Sequence, residues 1–365
     1  MKFNIKKSNF IDGLQRVNSV IGSRSTLPIL SNVMIEAKSN SLILTTTDLE
    51  IRITTTIEAT VETEGKTTLP AKTLLSIIRG LPSDSVDMQT DSSHHMSIKS
   101  GASSYKLLGL ASDDFPLPIE FSPVRSFTFK RSDISRMLER ISYAASSDDS
   151  RKTLNGILFS VKENAFTVVA TDGKRLALVE KVAENFSGED GQAIVPSKSA
   201  IEVQRIFAGG DADVLIEFGE NQASFSSEGT KLTTKLVEGN YPNYRQVIPT
   251  SFSRKIELPS NEFASAMQRI SLVVSESSAY VLMTFTEGKI DMKAASTEIG
   301  EGMESVPIEY SGPEISASFN PLFVLAPFKH LDADKVTMQF NDGYNPVAIS
   351  CGDGFLYVIM PMRSK

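Results

Sequence analysis

One sequence pattern is written three times along the chain, and that repetition restricts the possible folds more than any single motif does. Phe3-Asn4-Ile5-Lys6-Lys7-Ser8-Asn9-Phe10 is echoed by Phe127-Thr128-Phe129-Lys130-Arg131-Ser132-Asp133-Ile134, and a fainter copy starts at Lys255-Ile256-Glu257-Leu258. Each copy reads as a short alternating strand entering a helix, with Ser8, Ser132 or Asn261 as the expected cap. The helices carry apolar residues at i, i+4 and i+7: Phe10, Leu14, Val17; Ile134, Leu138, Ile141; Phe263, Met267, Ile270. That spacing gives each helix one buried stripe. Further along, Thr47-Asp48 returns as Thr171-Asp172, and Ser296-Thr297 takes the third place. Leu69-Pro70-Ala71-Lys72 returns as Val195-Pro196-Ser197-Lys198 and, more loosely, as Phe319-Asn320-Pro321. The period is about 124 residues, an ordinary domain size, so the expected domains are 1–125, 126–252 and 253–365.

A second helix is expected in each repeat, near 71–80, 197–207 and 321–330, with period-2 segments around it such as Ile51, Ile53, Thr55 and Ile57. The fold class is therefore α+β: in each repeat two helices pack against many short, mainly antiparallel strands.

Charge narrows the function. Thirty-seven Lys and Arg against 44 Asp and Glu leave a net charge of −7, which argues against a generally basic, DNA-coating protein. A local basic surface on an acidic body remains open. The repeats place cations at matching offsets: Arg16, Arg140 and Arg269 in the first helices, Arg79, Arg205 and Lys329 in the second. Lys72 and Lys198 add two more. The plainer alternative is that each is the solvated cation of an amphipathic helix. Jointly, equivalent cations on equivalent helices suit a surface that meets phosphate at many angles and reads no bases.

Enzyme chemistry finds little support. A single cysteine, Cys351, excludes a disulfide framework and a multi-cysteine zinc site, and three histidines are too few for most histidine metal sites. Asp48 and Asp172 read more simply as turn residues than as a catalytic pair, since the third repeat has Thr297 instead. No Walker loop or Gly-x-Ser-x-Gly elbow occurs, and Asp332-Ala333-Asp334 lacks the rest of a calcium loop. No cofactor is expected. No apolar run of signal-peptide or membrane-helix length is present, so a cytoplasmic location is expected.

Several strings resemble the family of bacterial DNA sliding clamps, the beta subunits of DNA polymerase III. They are Arg24-Ser25-Thr26-Leu27-Pro28-Ile29-Leu30, Thr47-Asp48-Leu49-Glu50, Arg79-Gly80-Leu81-Pro82, Leu154-Asn155-Gly156-Ile157-Leu158-Phe159, Ala170-Thr171-Asp172-Gly173-Lys174-Arg175-Leu176, Tyr241-Pro242-Asn243-Tyr244-Arg245 and Tyr357-Val358-Ile359-Met360-Pro361-Met362-Arg363. Their order covers essentially the whole chain. The resemblance implies three similar domains per chain and two chains joined head to tail in a ring. Helices would line the hole around duplex DNA, with no chemistry of the ring's own. Implied partners are DNA, DNA polymerase III alpha subunit and other polymerases through short clamp-binding peptides, and a clamp loader.

Carried over residue by residue, Arg24 resembles a DNA contact, beside Lys72, Arg79, Arg140, Lys198, Arg205 and Arg269. In the loop before Leu154, Asp148 and Asp149 repel phosphate, leaving Arg151 and Lys152 as candidates. The implied peptide cleft comprises Leu154, Thr171, Gly173, Lys174, Arg175, Leu176, Pro242, Val247, Asn320, Phe323, Val347, Met360, Pro361, Met362 and Arg363. Methionines suit a surface that takes several peptides, and Pro361 stops the last strand from pairing further. Gln246 and Ser278 stand where some family members have a cation and an aromatic. Tyr105 and Leu107 would meet Leu272 and Val273 of a second copy, the alternative being ordinary core packing. A triplicated protein-binding scaffold that does not encircle DNA is the competing reading.

Overall fold

The structure, a computed structural model, describes residues 1–22, 27–275 and 280–362. Six α-helices occur among them: α1 (Lys7–Val17), α2 (Ala71–Gly80), α3 (Arg131–Glu139), α4 (Ser197–Ile206), α5 (Ser260–Ile270) and α6 (Pro321–Phe328). They fall two to a repeat, as the periodicity predicts. All nine stripe residues of the first helices, from Phe10 to Ile270, are buried. Each large side chain so buried contributes about 1.5–3 kcal/mol.

The expected caps are not where these helices begin. α1 and α5 start at Lys7 and Ser260, behind Lys6 and Pro259, and neither has a side-chain cap. Backbone carbonyls from neighbouring segments serve instead. Asp84 O accepts from Lys7 N at 2.7 Å, Ala212 O from Arg131 N at 2.9 Å and Asp334 O from Ser260 N at 2.8 Å. The same donor is satisfied in the same way in all three repeats, which removes the demand for a capping side chain. α6 does have a side-chain cap, with Asn320 Oδ1 accepting from Leu322 N at 2.9 Å.

Contacts gather the chain into two compact units that do not coincide with the repeats. The first comprises Met1–Ser135, Glu184–Glu189 and Ile201–Leu236; the second comprises Arg136–Ala183, Asp190–Ala200 and Val237–Lys365. The reason lies in the strand ladders. In the first unit, Thr230–Lys235 pairs antiparallel with Ile51–Glu58, which fuses strands of two repeats into one nine-stranded sheet beside a five-stranded one. In the second unit, Phe355–Ile359 pairs antiparallel with Arg175–Val182 in an eight-stranded sheet beside a four-stranded one. Within the first unit α1 packs on α2; within the second α5 packs on α6, where the Phe263 and Phe328 rings lie 5.2 Å apart. No helix among the described residues is long and apolar enough to cross a membrane.

Candidate functional site

The strongest assembly of expected site residues is in the second unit, around a turn. Thr171 Oγ1 donates to Arg175 O at 2.6 Å and accepts from Gly173 N at 3.1 Å. Asp172 Oδ1 accepts from the N–H groups of Lys174 and Arg175 at 2.9 and 3.1 Å. Gly173 occupies the left-handed region at φ 87°, which the turn requires. The aspartate is thus a turn residue, as the sequence suggests.

This turn aims Arg175 inward. Its Nε donates to Asp172 Oδ2 at 3.1 Å and its Nη2 to Tyr143 O at 2.7 Å, while the guanidinium lies 4.5 Å from the Phe323 ring centroid. Phe323 is itself tied to the last strand, because Tyr357 Oη donates to its carbonyl at 2.7 Å. Burial pushes the phenols of Tyr143 and Tyr357 well above the usual tyrosine range, so both stay neutral. Leu176 belongs to a buried cluster with Leu158, Val169 and Tyr244, against which Tyr241 and Ile248 pack. Leu154 and Val347 are buried nearby in the same unit.

The end of the chain continues the arrangement. Met360 N donates to Lys174 O at 3.1 Å, and Met362 N donates to Ser318 O at 2.7 Å after regular pairing has stopped at Ile359. Met360, Met362 and Val247 are each about two-fifths exposed, and Pro242 is exposed as well. The result is an apolar floor of buried side chains with adaptable, open ones above it. That combination fits a short peptide with apolar anchors. Arg363 and Ser278 lie outside the described residues.

The expected DNA-facing cations divide into groups. Lys72 and Arg79, seven residues apart on the exposed side of α2, have no ion pair among the described residues, and neither does Lys152. Lys198 and Arg16 are exposed, as is Lys329 just past the end of α6. Arg205 is bonded to Glu202 at 2.9 Å and to the Arg16 carbonyl at 2.9 Å. Arg269 is paired with both carboxylate oxygens of Glu304, at 2.8 and 2.6 Å. Arg24 lies outside the described residues.

One expectation needs correction. Arg140 does not present its charge to solvent: its side chain is 7% exposed and faces Asp353 at 3.6 Å. The offset matches Arg16 and Arg269, but α3 ends at Glu139; Arg140 N still donates to Arg136 O at 3.1 Å while the side chain turns inward. Arg136, on the exposed side of α3, is the surface cation that the repeat alignment missed; its helical periodicity is the signal for it. Arg151 is exposed, with Nη1 donating to Asp172 O at 2.9 Å beside the Gly173 turn. It buttresses the cleft turn.

The expected subunit-contact residues are not core residues. Tyr105 is 44% exposed on Ser103–Leu107, the edge strand of the five-stranded sheet, and Leu272 is 73% exposed. Leu107 and Val273 are half-buried beside them.

Known proteins match the chain along its whole length. Three family profiles match in order: DNA polymerase III beta subunit, N-terminal domain over residues 1–119, central domain over 128–243 and C-terminal domain over 245–363. A beta sliding clamp of Chlamydia muridarum is 32% identical over 363 residues, spanning 100% of this chain and 99% of the relative. That of Escherichia coli is 30% identical over 367 residues, spanning 100% of both. The crystal structure of the DNA polymerase III subunit beta from Pseudomonas aeruginosa superposes with a TM-score of 0.95 at 29% identity, covering 100% of both chains. Matched in domain order along its whole length, the chain belongs to the DNA polymerase III beta subunit family, the beta sliding clamps.

Proposed function

We propose that this non-catalytic sliding clamp pairs head to tail with a second copy, closes around duplex DNA and tethers the replicative polymerase to it. The observation that carries the reading is the full-length match, in order, to all three domains of the family. The three clamp domains are placed at 1–125, 126–252 and 253–365. Phosphate contact falls to Lys72, Arg79, Arg151, Lys152, Lys198 and Arg205, with Arg16, Arg136 and Arg269 in addition and Arg24 from outside the described residues. Such contacts recur along any duplex and need no particular base, so they hold the clamp without fixing its place.

Partner peptides of the polymerase and of a clamp loader are assigned to the cleft around Arg175, Leu176, Phe323, Met360 and Met362. Tyr105 and Leu107 are assigned to meet Leu272 and Val273 of the second copy, in the bacterial cytoplasm. The test is topological. The clamp is loaded on nicked circular DNA with its loader, and the circle is then cut in high salt. An enclosing ring survives salt on the circle and slides off the cut ends. A scaffold that grips DNA from one side is lost with salt from both, by counterion release.

A further inference from the structure

The first unit contains a second groove built on the plan of the Arg175 cleft. Thr47 Oγ1 donates to Ile51 O at 2.9 Å and accepts from Leu49 N at 3.1 Å. Asp48 Oδ1 accepts from the N–H groups of Glu50 and Ile51 at 3.0 and 2.7 Å. These are the four bonds of the Thr171-Asp172 turn. The neighbouring strand also enters in the same register: Lys235 N donates to Glu50 O at 3.0 Å, as Met360 N donates to Lys174 O at 3.1 Å. The segment after Phe115-Pro116 forms one wall, in the sequence place that Tyr241-Pro242 holds at the cleft. Arg52 ties this wall down, donating to Pro116 O from beneath. The groove, open on one side, has a volume of about 540 Å³, within the range of pockets that hold small ligands or peptide side chains.

Three features show that the groove is more than a by-product of duplication. Leu49 sits at φ 78°, where the companion turn has Gly173. A leucine held in the left-handed region is strained. Its side chain is 46% exposed at the groove, and Leu117 and Ile119 on the wall are 86% and 56% exposed. The polar lining is cationic: Arg52, Lys231 and Lys235 against one carboxylate, Glu50. Lys231 is partly neutralised by Glu217 at 3.5 Å, whereas Lys235 is exposed and has no ion pair among the described residues.

We propose that this groove docks an extended peptide with Leu- or Phe-like side chains and at least one carboxylate, giving each chain two peptide sites of different charge preference. The likeness to the Thr171 turn rests on the peptide-cleft reading above; the exposed apolar wall and the cationic lining stand without it.

The test uses the full chain and an N-acetylated hexapeptide of two leucines, one phenylalanine, one glycine and two aspartates. Hydrogen–deuterium exchange reads both grooves separately. Peptide should protect residues 47–52, 116–121 and 230–235, and replacing its aspartates by asparagines should weaken that binding at least fivefold. Leu49→Gly relieves the backbone strain, so the variant should melt no lower than the parent yet bind the peptide at least threefold more weakly. Lys235→Glu should weaken it similarly. Protection confined to residues 171–176 and 357–362 overturns this proposal and leaves the cleft reading standing. Protection of residues 47–52 alone supports this proposal and counts against that reading. Protection of residues 47–52 that survives both substitutions, or that appears with a short DNA duplex and not with the peptide, also overturns it.

Discussion

Arg175 lies with its guanidinium 4.5 Å from the centroid of the Phe323 ring while Asp172 and the Tyr143 carbonyl take its N–H groups. One cation thereby joins the turn, α6 and the segment after α3 within the second unit. The stack and the two directed bonds need a planar fork, which lysine lacks. Arg175→Lys should therefore cost about 1–3 kcal/mol of stability. It should also weaken a fluorescent clamp-binding peptide at least fivefold in anisotropy titrations. Unchanged affinity would show that the arginine supports the fold without shaping the cleft.

The burial of Arg140 separates two kinds of cation that the repeat alignment treats alike. Its charge is inside, beside Asp353, whereas Lys72 and Arg79 stand open on α2. Arg140→Met, a similar volume without the charge, should leave the salt dependence of DNA retention unchanged, whatever it does to stability. Lys72→Ala and Arg79→Ala should each lower the slope of log affinity against log salt by about one for the phosphate contact removed. Electrophoretic retention at several salt concentrations checks both.

Much of this was legible in the sequence, for physical reasons that also mark where legibility ended. The stripes at Phe10, Leu14 and Val17 and at their counterparts are local consequences of helical period, and all are buried. The Thr171-Asp172 turn was readable because its bonds span at most four residues. The helix starts were not. Asp84, Ala212 and Asp334 supply the capping carbonyls from distant segments, and no local residue type reveals that. Arg140 misled because an offset is kept in the sequence while α3 stops two residues sooner than α1 and α5. The compact units escaped as well: pairing of Thr230–Lys235 with Ile51–Glu58 is a fact of long-range register, which repeats alone do not state.

Exposure at the expected subunit contact gives a direct test. Tyr105 and Leu272 are open in the single chain, so a charge at either place removes little internal packing. Leu272→Asp should convert dimers to monomers by sedimentation while the melting of the chain falls by no more than the loss of dimer linkage requires. Tyr105→Asp should do the same. A dimer that persists in both variants would move the contact elsewhere.

Glu304 holds Arg269 by two bonds, and the pair has a defined pH signature. Hydrogen bonding and charge from Arg269 hold the Glu304 carboxyl below its ordinary value, and the carboxylate in turn raises the guanidinium. A depressed carboxyl pKa means the pair is fully formed above the unfolded-state value, about 4.3 for glutamate, and is lost only as pH falls through the lower folded value. At neutral pH Arg269 is therefore a weaker phosphate contact than an unpaired cation would be. Glu304→Gln should release it, strengthening binding to short duplex DNA a few-fold at low salt and steepening the salt slope by about one. Lowering the pH of the parent from 7 to 5 should not reproduce this change, because Glu304 remains ionised across that interval. A parent that gains DNA affinity over those two pH units through Glu304 would contradict the pairing geometry itself.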